Sequence, residues 1–127
     1  MSERNVLLVE DNTVSANIMQ QLLRRLGASI VVAHNGAEAI EIFHANHFDI
    51  VLLDCELPDI SGLDVAQTLR RIEMKLDMIE NKQPCTIIGV SANIDKPIEQ
   101  RGLTVGMNGF CEKPLTVQKL QALLTQA

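Results

Sequence analysis

The sequence predicts an α/β domain, a five-stranded parallel sheet with helices on both faces. Three observations carry that prediction. Short apolar runs without polar alternation recur along the chain, as strands buried on both faces require. Stretches of helical periodicity separate them. No linker or repeat breaks the alternation, so residues 1–127 read as one domain, long enough to bury a real core.

Val6 to Val9 is the first apolar run and ends in Glu10-Asp11-Asn12. Asn12 or Thr13 suits the cap of a following helix. In it Val14, Ile18, Leu22 and Leu26, with Met19 and Leu23 beside them, fall at helical spacing, and Gly27 closes it as a C′ residue. Ala28 to Ala33 reads as the second strand. Asn35-Gly36 is a turn, and Ala37 to Ala45 a helix with Ala39, Ile40 and Phe43 inward. Ile50 to Leu53 is the third strand, with Asp54 at its carboxyl end and Pro58 and Gly62 marking a loop. Leu63, Ala66, Leu69 and Ile72 then continue a helix beginning near Ser61. Its later part, Arg70 to Gln83, is polar and mixed in charge, so it is expected to project into solvent before Pro84 stops it. Thr86 to Val90 is the fourth strand, ending in Ser91-Ala92-Asn93. A weaker helix covers Pro97 to Leu103, and Gly106 to Gly109 is a turn. Phe110 to Glu112 is a short fifth strand. Lys113-Pro114 leads into a last amphipathic helix with Leu115, Leu120, Leu123 and Leu124.

Composition narrows the function classes. A formal net charge of −5 and the lack of a basic stripe disfavour nucleic-acid binding, which needs a cationic face for phosphates. No apolar run approaches the ~20 residues that span a bilayer, and Met1 to Asn5 is too polar and short for a signal peptide. Cys55, Cys85 and Cys111 show no CxxC or CxxH spacing and fit a reducing compartment. The expected setting is cytoplasmic, without membrane contact by this domain.

In an open α/β sheet, ligands sit at the carboxyl ends of the strands. Glu10 and Asp11 end the first strand, Asp54 the third, Ser91 the fourth and Lys113 the fifth, so these side chains converge at one edge. Clustered carboxylates repel one another unless protonated or bridged by a cation. Mg²⁺ suits them, because it takes hard oxygen ligands and binds through a few carboxylates plus a phosphate. Beside such an ion Asp54 becomes a workable phosphoryl acceptor, with Lys113 and the Ser91 hydroxyl holding the other phosphoryl oxygens.

Val9-Glu10-Asp11-Asn12, Leu53-Asp54, Leu57-Pro58-Asp59-Ile60-Ser61-Gly62, Val90-Ser91-Ala92 and Glu112-Lys113-Pro114 stand in the order of a known family's motifs. Over essentially its whole length the chain resembles a response-regulator receiver domain of two-component signalling. The resemblance implies a flavodoxin-like three-layer (βα)5 sandwich with strand order 2-1-3-4-5. It implies Mg²⁺-dependent transfer of a phosphoryl group from phosphohistidine to Asp54, so that the domain catalyses its own phosphorylation and dephosphorylation. Glu10, Asp11, Asp54 and the backbone carbonyl of Glu56 would be the metal ligands, and Ser91 and Phe110 the switch pair. The Lys113-Pro114 bond would be cis. The implied partners are a histidine kinase or histidine phosphotransfer domain, and a second copy through the face of the fourth and fifth strands. The Glu10-Asp11-Asn12 and Val90-Ser91-Ala92-Asn93 segments look most like receivers of hybrid sensor histidine kinases. The chain is thus expected to be a stand-alone regulator or, by preference, part of such a kinase, itself cytoplasmic within a membrane-bound sensor.

Three features depart from the family pattern. Phe110 stands where Tyr is commoner, the Arg70–Pro84 segment is long, and Glu56 and Asn93 occupy the positions that tune access of water to the phosphoryl group. Competing readings are weaker. A Mg²⁺-dependent phosphohydrolase working through aspartyl phosphate usually has a second Asp where Glu56 stands. A flavin-binding relative would want a hydroxyl-rich loop and aromatic cover, and the chain has no Trp or Tyr. A phosphorylation-independent binding module would not need the five-residue set. Taken singly, a Glu-Asp pair is ordinarily a solvated turn and Ser91 a helix cap; their joint placement favours function. His34, His44 and His47 read as surface residues, Met74 and Met78 as packing, and the cysteines as small core or loop residues.

Overall fold

The computed structural model describes the backbone of residues 4–80 and 83–126, and the side chains of 4–75 and 83–125. Five strands and five helices alternate: β1 (Asn5–Val9), α1 (Thr13–Arg25), β2 (Ser29–Ala33), α2 (Gly36–Ala45), β3 (Ile50–Asp54), α3 (Gly62–Glu80), β4 (Thr86–Ser91), α4 (Lys96–Val105), β5 (Gly109–Glu112) and α5 (Val117–Gln126). The strands form one parallel sheet in the order β2-β1-β3-β4-β5, as the resemblance implied.

The sheet is covered on both sides because its central strands carry apolar residues in both phases of the pleat. Leu7, Val9, Val51, Leu53 and Ile87 join α2 and α3 in one core, with Phe43, Ala66, Leu69 and Ile72. Val6, Leu8, Ile50, Leu52, Ile88 and Val90 face the other way and pack with Met19 and Leu23 of α1 and Leu120 of α5. Every residue of β3 is buried, Asp54 included. Phe43 and Phe48 stack with ring centroids 6.3 Å apart, closing the core under β3.

Local signals set the helix ends. Asn12, not Thr13, caps α1, its side chain accepting from Ser15 N. Gly27 takes φ +89, a left-handed conformation in which a side chain would be strained. Asn35 acts as the cap of α2 rather than as part of a turn, and Gly36 is already helical. Asp95 caps α4, which Gly106 ends at φ +109.

Three expectations are corrected. On α1 the buried residues are Ala16, Met19 and Leu23, while Val14 and Ile18 are 69% and 53% exposed. Helical spacing alone does not separate two adjacent stripes, and the small Ala16 lets the helix settle on its other one. Met74, expected to pack, is 69% exposed; Met78 lies outside the described side chains. The polar part of α3 does not simply project into solvent, because Arg70 and Glu73 fold inward. Arg70 Nε donates to Gly106 O (2.8 Å), Nη2 to Asn108 Oδ1 (2.7 Å) and Nη1 to Cys85 O (2.9 Å). Nη1 also pairs with Glu73 Oε1 at 2.5 Å, and Glu73 Oε2 accepts Cys85 N at 2.6 Å. This network fastens the middle of α3 to the carboxyl end of α4 and to the start of β4, opposite the edge where Asp54 lies.

Candidate functional site

At the carboxyl edge of the sheet, β1 and β3 lie side by side, with Val9 against Leu53 in register. Glu10 continues β1 and Asp54 ends β3, so the two carboxyl groups meet. Carboxylate oxygens of Glu10, Asp11 and Asp54 lie within 4.8 Å of one another, the grouping of metal-ligand type found among the described residues. Glu10 and Asp54 are buried and Asp11 exposed, which leaves an open side for a ligand. Burial raises the pKa of Glu10 above its ordinary value; the Asn12 N–H bonded to Glu10 Oε2 at 3.2 Å opposes this and the Asp54 charge reinforces it. An all-oxygen set with clustered negative charge and an open side fits Mg²⁺. Asp54 Oδ1 accepts the backbone N–H of Glu56 at 2.9 Å, holding the carboxylate and the following loop together.

Lys113 lies one residue beyond β5. Its Nζ stands 3.3 Å from Asp54 Oδ2 and 3.4 Å from Glu10 Oε1. Desolvation would lower the pKa of this ammonium, but attraction to Asp54 and Glu10 outweighs it, so the pKa is raised. Lys113 therefore carries its charge against the carboxylates. The Lys113-Pro114 peptide is cis.

Ser91 is the last residue of β4, buried, beside the Asp54–Val90 register pair. Its hydroxyl lies 3.3 Å from Glu56 Oε1 and 3.3 Å from Asn93 O. Phe110 packs inward: a Cβ on Gly89 would stand 2.7 Å from its ring, and one on Gly102 of α4 would collide with it. Two glycines thus make the niche that holds the ring between β4 and α4.

The loop after Asp54 is anchored twice more. Asp59 reaches across to α2, where Oδ1 accepts Gly36 N (2.9 Å) and Oδ2 accepts Ala37 N (3.0 Å). A carboxylate at a helix N-terminus meets free donors and the positive end of the dipole. These hydrogen bonds hold the Asp59 carboxyl below its ordinary 3.8. A depressed pKa contributes stability that is complete above about 3.8 and is lost as pH falls through the lower, folded value. The stability gap between the wild type and Asp59→Asn, measured by urea unfolding, is accordingly expected to narrow below about pH 4. Gly62 supplies the other anchor: a Cβ there would lie 2.6 Å from Asp54 O and 2.8 Å from Cys55 Cα. Both are backbone atoms that cannot swing aside. Gly62→Ala is expected to cost about 1–3 kcal/mol in urea unfolding and to displace the acceptor.

The sequence reading placed Glu10, Asp11, Asp54, Ser91 and Lys113 at this edge, and the structure brings them there. It named Asp59 only as part of the loop motif, without a role, because its partners lie 22 and 23 residues away. Cys55 is half-buried, and burial, aided by Asp54 and Glu56, pushes its thiol up to about 11, so it stays protonated and unreactive. His34, His44 and His47 are exposed, as expected.

The response regulator receiver domain model matches residues 6–125. The chain belongs to that family. This receiver is 36% identical over 115 residues to hybrid signal transduction histidine kinase B of Dictyostelium discoideum, covering 87% of the receiver and 6% of the kinase. It therefore spans only a small part of that relative's length. A chain of the co-crystal structure of the Saccharomyces cerevisiae histidine phosphotransfer protein Ypd1 with the receiver domain of its downstream response regulator Ssk1 superposes with TM-score 0.89. Identity is 28%, with 98% of the receiver and 88% of that chain covered. The receiver domain of sensor histidine kinase PA1611 from Pseudomonas aeruginosa PAO1, with magnesium coordinated in its active-site cleft, gives TM-score 0.80 and 28% identity, covering 98% and 97%. The receiver is a phosphoacceptor domain of the phosphorelay type. None of its helices among the described residues is long and apolar enough to cross a membrane.

Proposed function

We propose that Asp54 is the residue this receiver phosphorylates, with a histidine-phosphorylated kinase or phosphotransfer protein as donor. The observation that carries this is the ammonium of Lys113 set between Asp54 and Glu10 at the open carboxyl edge. An Asp54 carboxylate oxygen attacks phosphorus. The P–N bond of the phosphoimidazole breaks, its electron pair returns to the ring nitrogen, and that nitrogen takes up a proton. Lys113 offsets charge on one phosphoryl oxygen without moving far, since it already points there. Glu10, Asp11, Asp54 and the Glu56 carbonyl would hold Mg²⁺, which supplies neutralisation of phosphoryl charge when bound.

The Ser91 hydroxyl, held at 3.3 Å by Glu56 and Asn93, has only long hydrogen bonds to give up before turning to a phosphoryl oxygen. Movement of the Ser91–Asn93 segment would then be felt by α4 and by Phe110 in its glycine niche, a local charge event biasing a packed element. Val14 and Ile18 are exposed on the first turns of α1, just after Glu10-Asp11, and provide apolar area where a donor protein must dock to reach Asp54. Leu103 on α4 is likewise exposed and supports the expected self-association through the β4–β5 side.

Intact mass after incubation with Mg²⁺ and acetyl phosphate tests the assignment. The expected result is one phosphoryl adduct on the wild type, none on Asp54→Asn, and none when EDTA removes the metal. An adduct persisting on Asp54→Asn would refute it. Rapid turnover of assorted phosphomonoesters would favour the hydrolase reading.

A further inference from the structure

Lys113 needs support of its own. It follows β5, the edge strand, and its side chain is 32% exposed. On the sheet side its backbone N–H donates to Ser91 O at 2.9 Å. On the outer side no strand among the described residues bonds the Glu112 carbonyl, the usual deficit of a sheet edge. A second lysine fills that deficit. Lys119 Nζ donates to Glu112 O at 3.0 Å and to Pro114 O at 3.2 Å, the two carbonyls that flank Lys113.

Lys119 is also misplaced for the helix that carries it. Thr116 Oγ1 accepts Lys119 N at 3.2 Å and so caps α5, making Lys119 the third helical residue. A capping box places Glu or Gln there, and a cation in the first turn opposes the helix dipole. The reach back to the Lys113 segment explains a lysine at this position; helix stability does not.

We propose that Lys119 is a positioning residue for phosphoryl transfer, clamping the Glu112–Pro114 backbone so that the Lys113 ammonium stays against Asp54 and Glu10. The inference rests on Lys113 acting at Asp54 as proposed above. It ties the first turn of α5 to the catalytic cation, so a partner that shifts α5 changes the rate at Asp54.

The test is the initial rate of adduct formation from acetyl phosphate at saturating Mg²⁺, with urea unfolding in parallel, on the full chain. Lys119→Met, which keeps length but loses the donors, is expected to slow the reaction about tenfold, a modest misplacement penalty. Lys119→Arg restores donors and should recover most of the rate. Lys119→Glu completes the capping box and suits the dipole, so its urea midpoint should equal or exceed the wild type while its rate still falls. In a Lys113→Ala background Lys119→Met should cause no further loss. A wild-type rate for Lys119→Met beside a slow Lys113→Ala would overturn this inference alone. A tenfold loss that persists in the Lys113→Ala background would do the same. A wild-type rate for Lys113→Ala would remove the reading of Lys113, and this inference with it.

Discussion

Lys113→Ala is expected to slow phosphorylation of Asp54 about a hundredfold at saturating Mg²⁺, the usual loss when one preorganised charge donor is removed. The ammonium stands 3.3 Å from Asp54 Oδ2, close enough to offset the charge of a phosphoryl oxygen brought to that carboxylate. Without it, no side-chain cation among the described residues stands beside Asp54 and Glu10 to take the phosphoryl oxygen that the metal leaves unneutralised. Lys113→Arg should not restore the rate, because a planar guanidinium cannot reproduce a point charge at this spot. Initial rates of adduct formation give the answer, and circular dichroism checks that the variants are folded.

Arg70→Met is expected to destabilise the chain by about 3 kcal/mol, the low end for breaking a buried charge pair. Arg70 and Glu73 are 20% and 17% exposed, so solvent compensates little. The substitution strips a donor from Gly106 O and Cys85 O and frees Asn108 Oδ1 from one of its two donors, the other being Ile87 N. It also removes the guanidinium paired with the half-buried Glu73 carboxylate, whose other oxygen accepts the Cys85 N–H. Arg70→Lys should recover little, since one ammonium cannot serve three directions. The network lies at the amino-terminal end of β4 and Asp54 at the other edge. The variant should therefore phosphorylate at near wild-type rate under conditions where it is folded. A loss of rate without a loss of urea midpoint would contradict this separation of stability from chemistry.

The strand–helix alternation was legible because β1, β3 and β4 are continuous apolar runs, a pattern that parallel burial imposes regardless of detail. The site was legible for a related reason. Parallel strands all deliver their next residue to the same edge, so Glu10, Asp54, Ser91 and Lys113 could be gathered from strand ends alone. What escaped depends on partners far along the chain. Arg70 looked like the start of a solvated stretch because its acceptors at Cys85, Gly106 and Asn108 are 15 to 38 residues away. Asp59 stands in a loop motif whose local residues name no partner for it; its donors are Gly36 N and Ala37 N on α2. Val14 and Ile18 satisfied helical spacing as well as Met19 and Leu23 did, and only the close fit of Ala16 on the sheet chose between the stripes. Lys119 carried one faint local signal, a lysine where a capping box wants an acid, whose meaning appears only once β5 is known to be the edge.

The most direct test of the central claim is residue-level. The chain is phosphorylated by a histidine-phosphorylated phosphotransfer protein in Mg²⁺ and then reduced with borohydride, which converts an aspartyl phosphate to homoserine. Peptide mass spectrometry then finds the residue. Homoserine at position 54 and at no other carboxylate is the expected result. Homoserine elsewhere, or transfer that survives Asp54→Asn undiminished, would contradict it.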